Sequence, residues 1–158
     1  MDETAFARVA EEYAARLYTV AFRMLGNRAD AEDAVQRTLL KCFAARRSYS
    51  PRWAVSTWLY HALANVCIDE LRRRRPAAER PPRATAPATV ERVDLARALD
   101  RVPREARLLL ALHYVDGLSY KDLARIRGIS INTVKSQLAR GKAVLKATLA
   151  EGGDGGRP

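Results

Sequence analysis

The apolar residues of this chain recur at intervals of three and four, which is the spacing of one face of an α-helix. The first such stripe consists of Phe6, Val9, Ala10, Tyr13, Leu17, Val20, Ala21, Met24 and Leu25. No segment alternates apolar and polar residues over a useful length, as a half-buried β-strand would. Because 48% of the residues are hydrophobic and 29% are charged, the chain has enough apolar material to bury a core. The sequence therefore predicts an all-α fold.

Four prolines divide the chain into two helical parts, and these are Pro76, Pro81, Pro82 and Pro87. Almost no large apolar residue lies among them, so this segment has no means of forming a packed core. Residues 76–89 are therefore predicted to be a flexible linker rich in Pro, Ala and Arg. We expect two small helical domains, residues 1–75 and residues 90–150, followed by a disordered tail at residues 151–158.

Single residues predict where several of the helices begin and end. Gly26 and Gly117 should each stop a helix, because glycine adopts the left-handed conformation of a helix end without strain. Asp30 should cap the second helix, since its carboxylate can accept a backbone hydrogen bond in the first turn. Ser56 or Thr57 should cap the third helix in the same way.

Two helix starts, eleven residues apart, predict a helix-turn-helix in the C-terminal part. Ser119 and Asp122 form a capping box, and Ser130 is the N-cap of the following helix. Gly128 lies between the two helices and supplies the turn, so a valine there should disturb the turn through steric crowding. The helix from Ile131 onward is predicted to be the recognition helix.

The exposed face of the predicted recognition helix carries groups that can contact DNA. They are Asn132, Thr133, Lys135, Ser136, Gln137 and Arg140. Amides and hydroxyls can reach base edges, whereas Lys and Arg can bind phosphates. The alternative is a solvated helix face without a ligand, but such a face normally mixes both signs of charge, and this one is nearly free of acid.

The positive charge is concentrated in the later parts of the chain. Residues 1–45 carry a net charge of −1, residues 46–83 carry +6 and residues 84–158 carry +5. A polyanion is the expected partner, and nucleic acid fits best because no lipid-anchoring motif accompanies the charge. No stretch approaches the roughly 20 apolar residues of a membrane span, and the acidic N-terminus is unlike a signal peptide. We expect a cytoplasmic protein without membrane insertion.

The residues that enzymes and metal sites use are sparse. Cys42 and Cys67 lie in helical apolar patterns without paired spacing, which predicts buried core thiols. His61 and His113 lie in different domains, and the acidic group around Asp30 suits helix capping. No glycine loop of the phosphate-binding type is present. We therefore expect no catalytic activity, no metal, no cofactor and no small-molecule substrate.

Four motifs, in this order, resemble those of bacterial extracytoplasmic-function (ECF) sigma factors. They are residues 30–36 (DAEDAVQ), residues 57–60 (TWLY) leading to 69–74 (DELRRR), residues 117–124 (GLSYKDLA) and residues 128–136 (GISINTVKS). The resemblance implies a promoter-specificity subunit that binds core RNA polymerase and promoter DNA. It places region 2 at the N-terminus and region 4 at the C-terminus. It also makes an anti-sigma factor a plausible further partner.

The resemblance implies that the helix of the first motif contacts core RNA polymerase. The residues at that contact would be Asp33, Gln36, Arg37 and Leu40. Region 4 would read the minus-thirty-five promoter element through the recognition-helix residues given above. Its Gln137 stands where a basic residue is common in the family, and Arg37 stands where an acid is usual.

The resemblance also implies that region 2 recognises and melts the minus-ten element. The residues that would do so are Ser56, His61, Asn65, Arg72 and Arg73. Asn65 is the best candidate for reading an unstacked base, and arginines 72–75 would hold the DNA backbone. Trp58 lies on the apolar stripe and is predicted to be core, whereas Tyr60 is open to either assignment.

Two departures in the DNA-reading residues indicate an unusual promoter sequence. One is Gln137 in the recognition helix, and the other is the pair Val55 and Ser56, which replaces a basic residue before Thr57. The alternative function is a stand-alone helix-turn-helix regulator. Such a regulator would bind duplex promoter DNA tightly without polymerase, which ECF sigma factors generally do not.

Overall fold

The chain folds into seven α-helices within residues 1–74 and 90–154, the parts that the computed structural model describes. The helices are α1 (Glu3–Leu25), α2 (Arg28–Ala44), α3 (Val55–Arg73), α4 (Val90–Arg101), α5 (Arg104–Asp116), α6 (Tyr120–Arg127) and α7 (Ile131–Asp154). Those two ranges contain no strand, so the predicted all-α fold is confirmed. The predicted linker, residues 76–89, lies outside the described residues.

The end of α7 extends into the predicted tail. The helix continues to Asp154, so residues 151–154 are helical, and residues 155–158 lie outside the described part of the chain. Glu151 contributes to this extension, because its carboxylate lies 3.3 Å from the guanidinium of Arg101 at the end of α4. The pair connects the last turn of α7 to the first helix of its domain.

The structure confirms the predicted role of five residues at the ends of helices. Gly26, Gly117 and Gly128 are left-handed, with φ values of 79°, 66° and 65°. The hydroxyls of Ser119 and Ser130 each accept the backbone N–H three residues later, at 3.1 Å. These side chains satisfy backbone donors that have no partner inside the helix.

The predicted cap of α2 was wrong. The helix begins at Arg28, and the side-chain oxygen of Asn27 accepts the backbone N–H of Asp30 at 2.9 Å. Asp30 is thus the residue that Asn27 caps. Its carboxylate accepts hydrogen bonds from the side-chain amide of Asn27 at 2.9 Å and from Arg74, at the end of α3, at 2.6 Å. Asp30 therefore supports the helix start through Asn27 without being its N-cap, and it adds a long-range ion pair to α3.

The predicted cap of α3 was also wrong. The helix begins at Val55, and its N-cap Ala54 makes no side-chain hydrogen bond. Ser56 is half-buried in the first turn, and Thr57 is buried there at 4% exposure. Packing of the first turn against the domain therefore positions the start of this helix, which a search for capping side chains does not detect.

Helices α1, α2 and α3 form the core of the N-terminal domain (residues 1–74). Trp58 packs against the core, with its ring centroid 6.4 Å from that of Phe6 and 4.9 Å from that of Tyr49. The predicted core role of Trp58 is confirmed. Tyr60 is fully buried, which decides the open assignment in favour of the core.

Helices α4 to α7 form the C-terminal domain (residues 90–154). Leu109 and Leu112 of α5 and Leu123 of α6 are fully buried. Gly141 marks a close crossing of α7 and α5, since a Cβ atom built there would lie 2.8 Å from the Cδ1 of Leu110. The long α7 is therefore held against the domain along one side.

The two domains pack against each other. Arg107 of α5 is 6% exposed, and its Nη1 donates to the carbonyl oxygen of Met24, at the end of α1, at 2.9 Å. Arg16 of α1 pairs with Asp116 of α5 at 3.5 Å. The buried residues of both domains form one continuous apolar cluster. The sequence predicted only a linker between the domains, whereas in the structure α1 lies against α5 and α3 lies against α6.

Substitution of Gly128 by valine should lower the free energy of unfolding by about 1–2 kcal/mol. The expected crowding is not the reason, because a Cβ atom there would meet nothing within 4 Å. The reason is the φ of 65°, which a β-branched residue adopts only with strain. Thermal unfolding followed by circular dichroism measures the effect. Gly128→Asn is the control and should cost less, since Asn tolerates this conformation; equal melting temperatures for the valine variant and the native protein would contradict the prediction.

Candidate nucleic-acid interface

The first half of α7 presents most of the predicted recognition residues to solvent. The exposed members are Asn132, Thr133, Lys135, Ser136 and Arg140. Gln137 is half-buried. Val134 and Leu138 are 0% and 2% exposed and pack on the domain core. One side of the helix is therefore fixed by the core, and the side with the polar groups is available to a ligand.

The helix-turn-helix is held in place by polar contacts at its turn. Arg127, the last residue of α6, makes two hydrogen bonds to the carboxylate of Glu105 in α5, at 2.7 and 3.0 Å. The hydroxyls of Ser130 and Thr133 lie 2.9 Å apart at the start of α7. Thr133 thus contributes to the helix start as well as to the exposed face.

Three of the five predicted minus-ten residues lie on one face of α3. At about 100° per residue, His61, Asn65 and Arg72 fall within roughly 40° of one another around the helix axis. All three are exposed. Arg73 is exposed on another side of the helix, and Ser56 is half-buried in the first turn. We call His61, Asn65 and Arg72 the α3 face.

Trp53, in the loop before α3, adjoins the α3 face and was missed by the sequence analysis. Its ring centroid lies 6.3 Å from that of His61, and the hydroxyl of Tyr49 donates to its carbonyl oxygen at 2.5 Å. A single tryptophan in a loop carries no periodic signal. The signal that could have found it is an aromatic side chain next to a basic helix, a combination on which unstacked bases can lie.

Helix α6 of the C-terminal domain reaches the α3 face. The Nη1 of Arg127 lies 3.4 Å from the Oδ1 of Asn65. The guanidinium of Arg125 lies over the ring of Trp53, 4.5 Å from its centroid. The best candidate for base reading therefore contacts the other domain of the same chain.

The arginines at the end of α3 do not act as one group. The side chain of Arg74 is only 9% exposed and lies 2.6 Å from Asp30 and 3.9 Å from Glu70. It joins the end of α3 to the start of α2, which corrects the prediction that all four arginines hold the DNA backbone. Arg72 is 57% exposed and lies 3.9 Å from Asp69, and Arg75 lies outside the described residues.

The four predicted polymerase-contacting residues lie close together on α2. Their spacing of three, four and seven residues places Asp33, Gln36, Arg37 and Leu40 on one side of the helix. Asp33 and Gln36 are exposed, and Leu40 is 68% exposed. Arg37 is half-buried and lies 3.2 Å from Asp33 and 3.9 Å from Glu70 of α3. The basic residue at this position therefore connects α2 to α3.

The two cysteines are free and buried, as predicted. Burial raises the pKa of the Cys42 thiol to about 11 and that of the Cys67 thiol to about 12. At pH 8 a pKa of about 11 leaves roughly one thiol in a thousand as thiolate, the form that reacts. The folded protein should therefore react with less than a tenth of an equivalent of a maleimide within minutes at this pH. The unfolded protein should take up two; rapid labelling of the folded chain, measured by mass spectrometry, would contradict this burial.

The described residues hold neither a metal-binding cluster nor a membrane-spanning helix. Within residues 1–74 and 90–154, no group of three or more His, Cys, Asp or Glu side chains is placed to hold a metal ion. None of the helices in those ranges is long and apolar enough to cross a membrane.

Both domains match conserved families of known proteins. Sigma-70 region 2 matches residues 9–77, and Sigma-70 region 4 matches residues 92–145. The first match contains the α2 residues and the α3 face, and the second contains the helix-turn-helix. The order of the two matches is the order that the sequence motifs predicted.

Several ECF RNA polymerase sigma factors are similar to this chain. SigM of Mycobacterium tuberculosis is 33% identical over 94% of this chain and 79% of its own length. SigW of Bacillus subtilis is 27% identical over 95% of this chain and 91% of its own length. SigE of Mycolicibacterium smegmatis is 31% identical over 90% of this chain, which covers only 61% of that longer protein.

Two solved structures have the same fold. The sigma factor RpoE of Bartonella quintana, in complex with the anti-sigma factor NepR, superposes with a TM-score of 0.78 at 25% identity, over 92% of this chain and 97% of its own. CnrH, in complex with the cytosolic domain of CnrY, superposes with a TM-score of 0.76 at 24% identity, over 95% and 90%. With the two family matches and the similar proteins, these findings show that the chain belongs to the ECF sigma factors of RNA polymerase.

Proposed function

We propose that this sigma factor binds core RNA polymerase, directs it to a specific set of promoters and helps to melt their minus-ten element. The observation that carries the proposal is the presence of two separate exposed faces, on α3 and on α7, in one chain. Each face combines groups that can contact bases with a cation that can contact phosphate. A sigma factor that reads two promoter elements needs two such faces.

The face on α7 is proposed to read the minus-thirty-five element. Asn132, Ser136 and Arg140 follow one another at intervals of four and form an exposed stripe along the helix. Amides pair with adenine and guanidinium groups with guanine in the major groove. Lys135 lies beside the stripe, where its ammonium can reach a phosphate.

The α3 face is proposed to hold an unstacked base of the minus-ten element. Taking a base out of the duplex costs a few kcal/mol, so a pocket with hydrogen-bonding groups must offset it. The amide of Asn65 offers a donor and an acceptor, and the ring of Trp53 offers a surface for stacking. Arg72 offers a cation to the backbone near these groups.

The α2 residues are proposed to contact core RNA polymerase. Leu40 supplies an apolar group that is 68% exposed, and Gln36 supplies an exposed amide. Burial of this leucine against a partner would remove apolar surface from water and so favour the contact. Arg37 is held by two carboxylates within the domain, so its part in the contact is to position Asp33.

The remaining parts of the proposal concern where and with what the protein acts. It is proposed to act in the cytoplasm with RNA polymerase, without catalytic chemistry, metal, cofactor or small-molecule substrate of its own. RpoE was solved with an anti-sigma factor, and CnrH with the cytosolic domain of CnrY. We extend the anti-sigma partner to this chain on the strength of that similarity.

Size-exclusion chromatography with core RNA polymerase at moderate salt tests the proposal. The native protein should elute in a stoichiometric complex, and Leu40→Asp should weaken the complex about tenfold or more, because it places a charge in an apolar contact. Ala15→Asp, which adds the same charge on an exposed part of α1, is the matched control. Elution apart from the polymerase, under conditions where another sigma factor binds, would favour the stand-alone regulator.

Lys135→Ala should weaken promoter capture by the holoenzyme about three- to tenfold and reduce the salt slope of binding by about 1. The probe is a promoter recovered by the holoenzyme from a random-sequence DNA library, and capture is measured by filter binding from low to high salt. Lys142→Ala removes the same charge from the same helix and is the control. The ammonium of Lys142 lies 5.3 Å from the ring centroid of Tyr114, and the hydrogen bond with this residue raises the pKa of Lys142, so Lys142 already has a partner within the domain. An unchanged slope for Lys135→Ala would exclude a phosphate contact by Lys135.

A further inference from the structure

We propose that Glu70 of α3 is a positioning residue for the polymerase-contacting residues of α2. Through Arg37 it sets the place of the Asp33 carboxylate, which the proposed function assigns to the contact with core RNA polymerase. The inference rests on that proposed function. It goes further because it gives a part in polymerase binding to a residue of the neighbouring helix, outside the contact itself.

Five residues of alternating charge connect the two helices. In order of contact they are Asp33, Arg37, Glu70, Arg74 and Asp30, and we call them the α2–α3 charge network. The successive pairs lie 3.2, 3.9, 3.9 and 2.6 Å apart. The contacts cross from α2 to α3 and back, and Glu70 is the carboxylate of the network that lies within ion-pair distance of both arginines.

Helical periodicity places the charge network where α2 and α3 face each other. Positions 30, 33 and 37 of α2 follow one another at intervals of three and four, and so do positions 67, 70 and 74 at the end of α3. Cys67 in the second stripe is fully buried. Burial raises the pKa of its thiol, and the charges of Arg37, Arg74 and Glu70 also act on it. Charges from both helices therefore meet above this thiol.

One end of the charge network is anchored and the other end faces solvent. The side chains of Arg74 and Asp30 are 9% and 16% exposed, and the amide of Asn27 also donates to Asp30 at 2.9 Å. Asp33, at the other end, is 62% exposed. A fixed ion pair at the start of α2 is thus connected, through the middle of the network, to a carboxylate that a partner can reach.

The orientation of Arg37 depends on Glu70. The Nε of Arg37 lies 3.2 Å from Asp33, yet among the described residues this buried atom makes no hydrogen bond of good geometry. Asp33 lies one turn earlier on the same helix, and such a pair at the surface holds its side chains only weakly. Glu70 attracts the guanidinium from the other helix. The two carboxylates together therefore restrict Arg37, and Arg37 in turn restricts Asp33.

A carboxylate that is held in place binds a partner more tightly than a mobile one, because less side-chain freedom is lost on binding. Without Glu70, the side chains of Arg37 and Asp33 would have to be ordered when polymerase binds. With an acid at position 37, the residue type that the family resemblance makes usual there, Glu70 would repel its neighbour instead. The role of Glu70 is therefore tied to the arginine that this chain has at position 37.

Competition with a labelled reference sigma factor for core RNA polymerase measures the affinity of the full chain and its variants. Glu70→Gln should weaken binding about three- to fivefold, which is the range that a partly exposed ion pair can supply. Its melting temperature should stay within about 3 °C of that of the native protein. Asp69→Asn is the matched control, because it removes the same charge from the adjacent position, where the carboxylate lies 3.9 Å from Arg72, and it should leave binding unchanged.

Double-mutant cycles separate positioning from a merely structural role. If Glu70 acts through Arg37 and Asp33, Glu70→Gln should weaken polymerase binding no further in a protein that already carries Asp33→Ala. The same should hold in a protein that already carries Arg37→Ala. A carboxylate that only stabilised the domain would have the same effect in all three backgrounds, so the losses of affinity would multiply.

The outcomes distinguish this inference from the proposed function. A Glu70→Gln protein that binds core RNA polymerase as tightly as the native protein would overturn the inference, and so would losses of affinity that multiply in the cycles. In both cases the native protein still binds, and the proposed function stands. A native protein that does not compete for core RNA polymerase would overturn the proposed function, and the inference with it.

Discussion

Arg107→Leu is expected to lower the free energy of unfolding by about 3 kcal/mol or more. The side chain is 6% exposed, yet it donates to the carbonyl oxygens of Met24 at 2.9 Å, Val102 at 2.9 and 3.3 Å, and Asp100 at 3.2 Å. Leucine would leave these acceptors without the guanidinium. Hydrogen bonds to a charged group contribute about 1.5–3 kcal/mol each, and a buried acceptor left alone adds a desolvation cost.

Urea unfolding followed by circular dichroism measures this effect. Arg104→Leu, an exposed arginine on the same helix, is the matched control and should change stability by about 0.5 kcal/mol or less. Arg107→Lys should lie between the two, because an ammonium keeps the charge but has no planar fork to span three carbonyls. An Arg107→Leu protein with the midpoint of the native protein would show that the guanidinium does not stabilise the fold.

Arg107 makes a kind of contact that local sequence patterns could not predict. Helix existence was predictable because apolar spacing is a local signal, and so were the ends at Gly26 and Ser119, where one residue decides the backbone conformation. The acceptor of Arg107 at Met24 lies 83 positions earlier in the chain. Its burial depends on how two domains meet, and no local pattern encodes that.

The candidate site likewise contains residues that local sequence patterns predicted and residues that they did not. The recognition face of α7 was predictable because caps, turn and apolar spacing all lie within twenty residues of one another. The misassigned residues are those with distant partners. Asp30 binds Arg74 of α3 as well as Asn27 at the start of its own helix, and this ion pair leaves Arg74 nearly buried and not available to DNA. The contact of Arg127 with Asn65 joins residues 62 positions apart, so local sequence patterns could not predict it either.

Asn65→Ala is expected to slow melting of the minus-ten element by the holoenzyme about 10- to 100-fold, because a well-placed pair of hydrogen bonds to a base contributes about 1–3 kcal/mol. Capture of the duplex through the minus-thirty-five element should change by less than about twofold, since that contact belongs to α7. Permanganate reactivity of unpaired thymines measures melting, and filter binding measures capture. Glu12→Ala, an exposed change on α1, is the control.

The same substitution separates the two roles that the structure gives Asn65. In the free protein the amide contacts Arg127 of α6, so its removal should weaken this contact between the two domains. In the proposed promoter complex the amide contacts a base instead, so its removal should slow melting. Slower melting with unchanged capture therefore supports base reading by Asn65. Faster melting would mean that its contact with α6 dominates, and base reading would then pass to His61 and Trp53, the other groups beside that face.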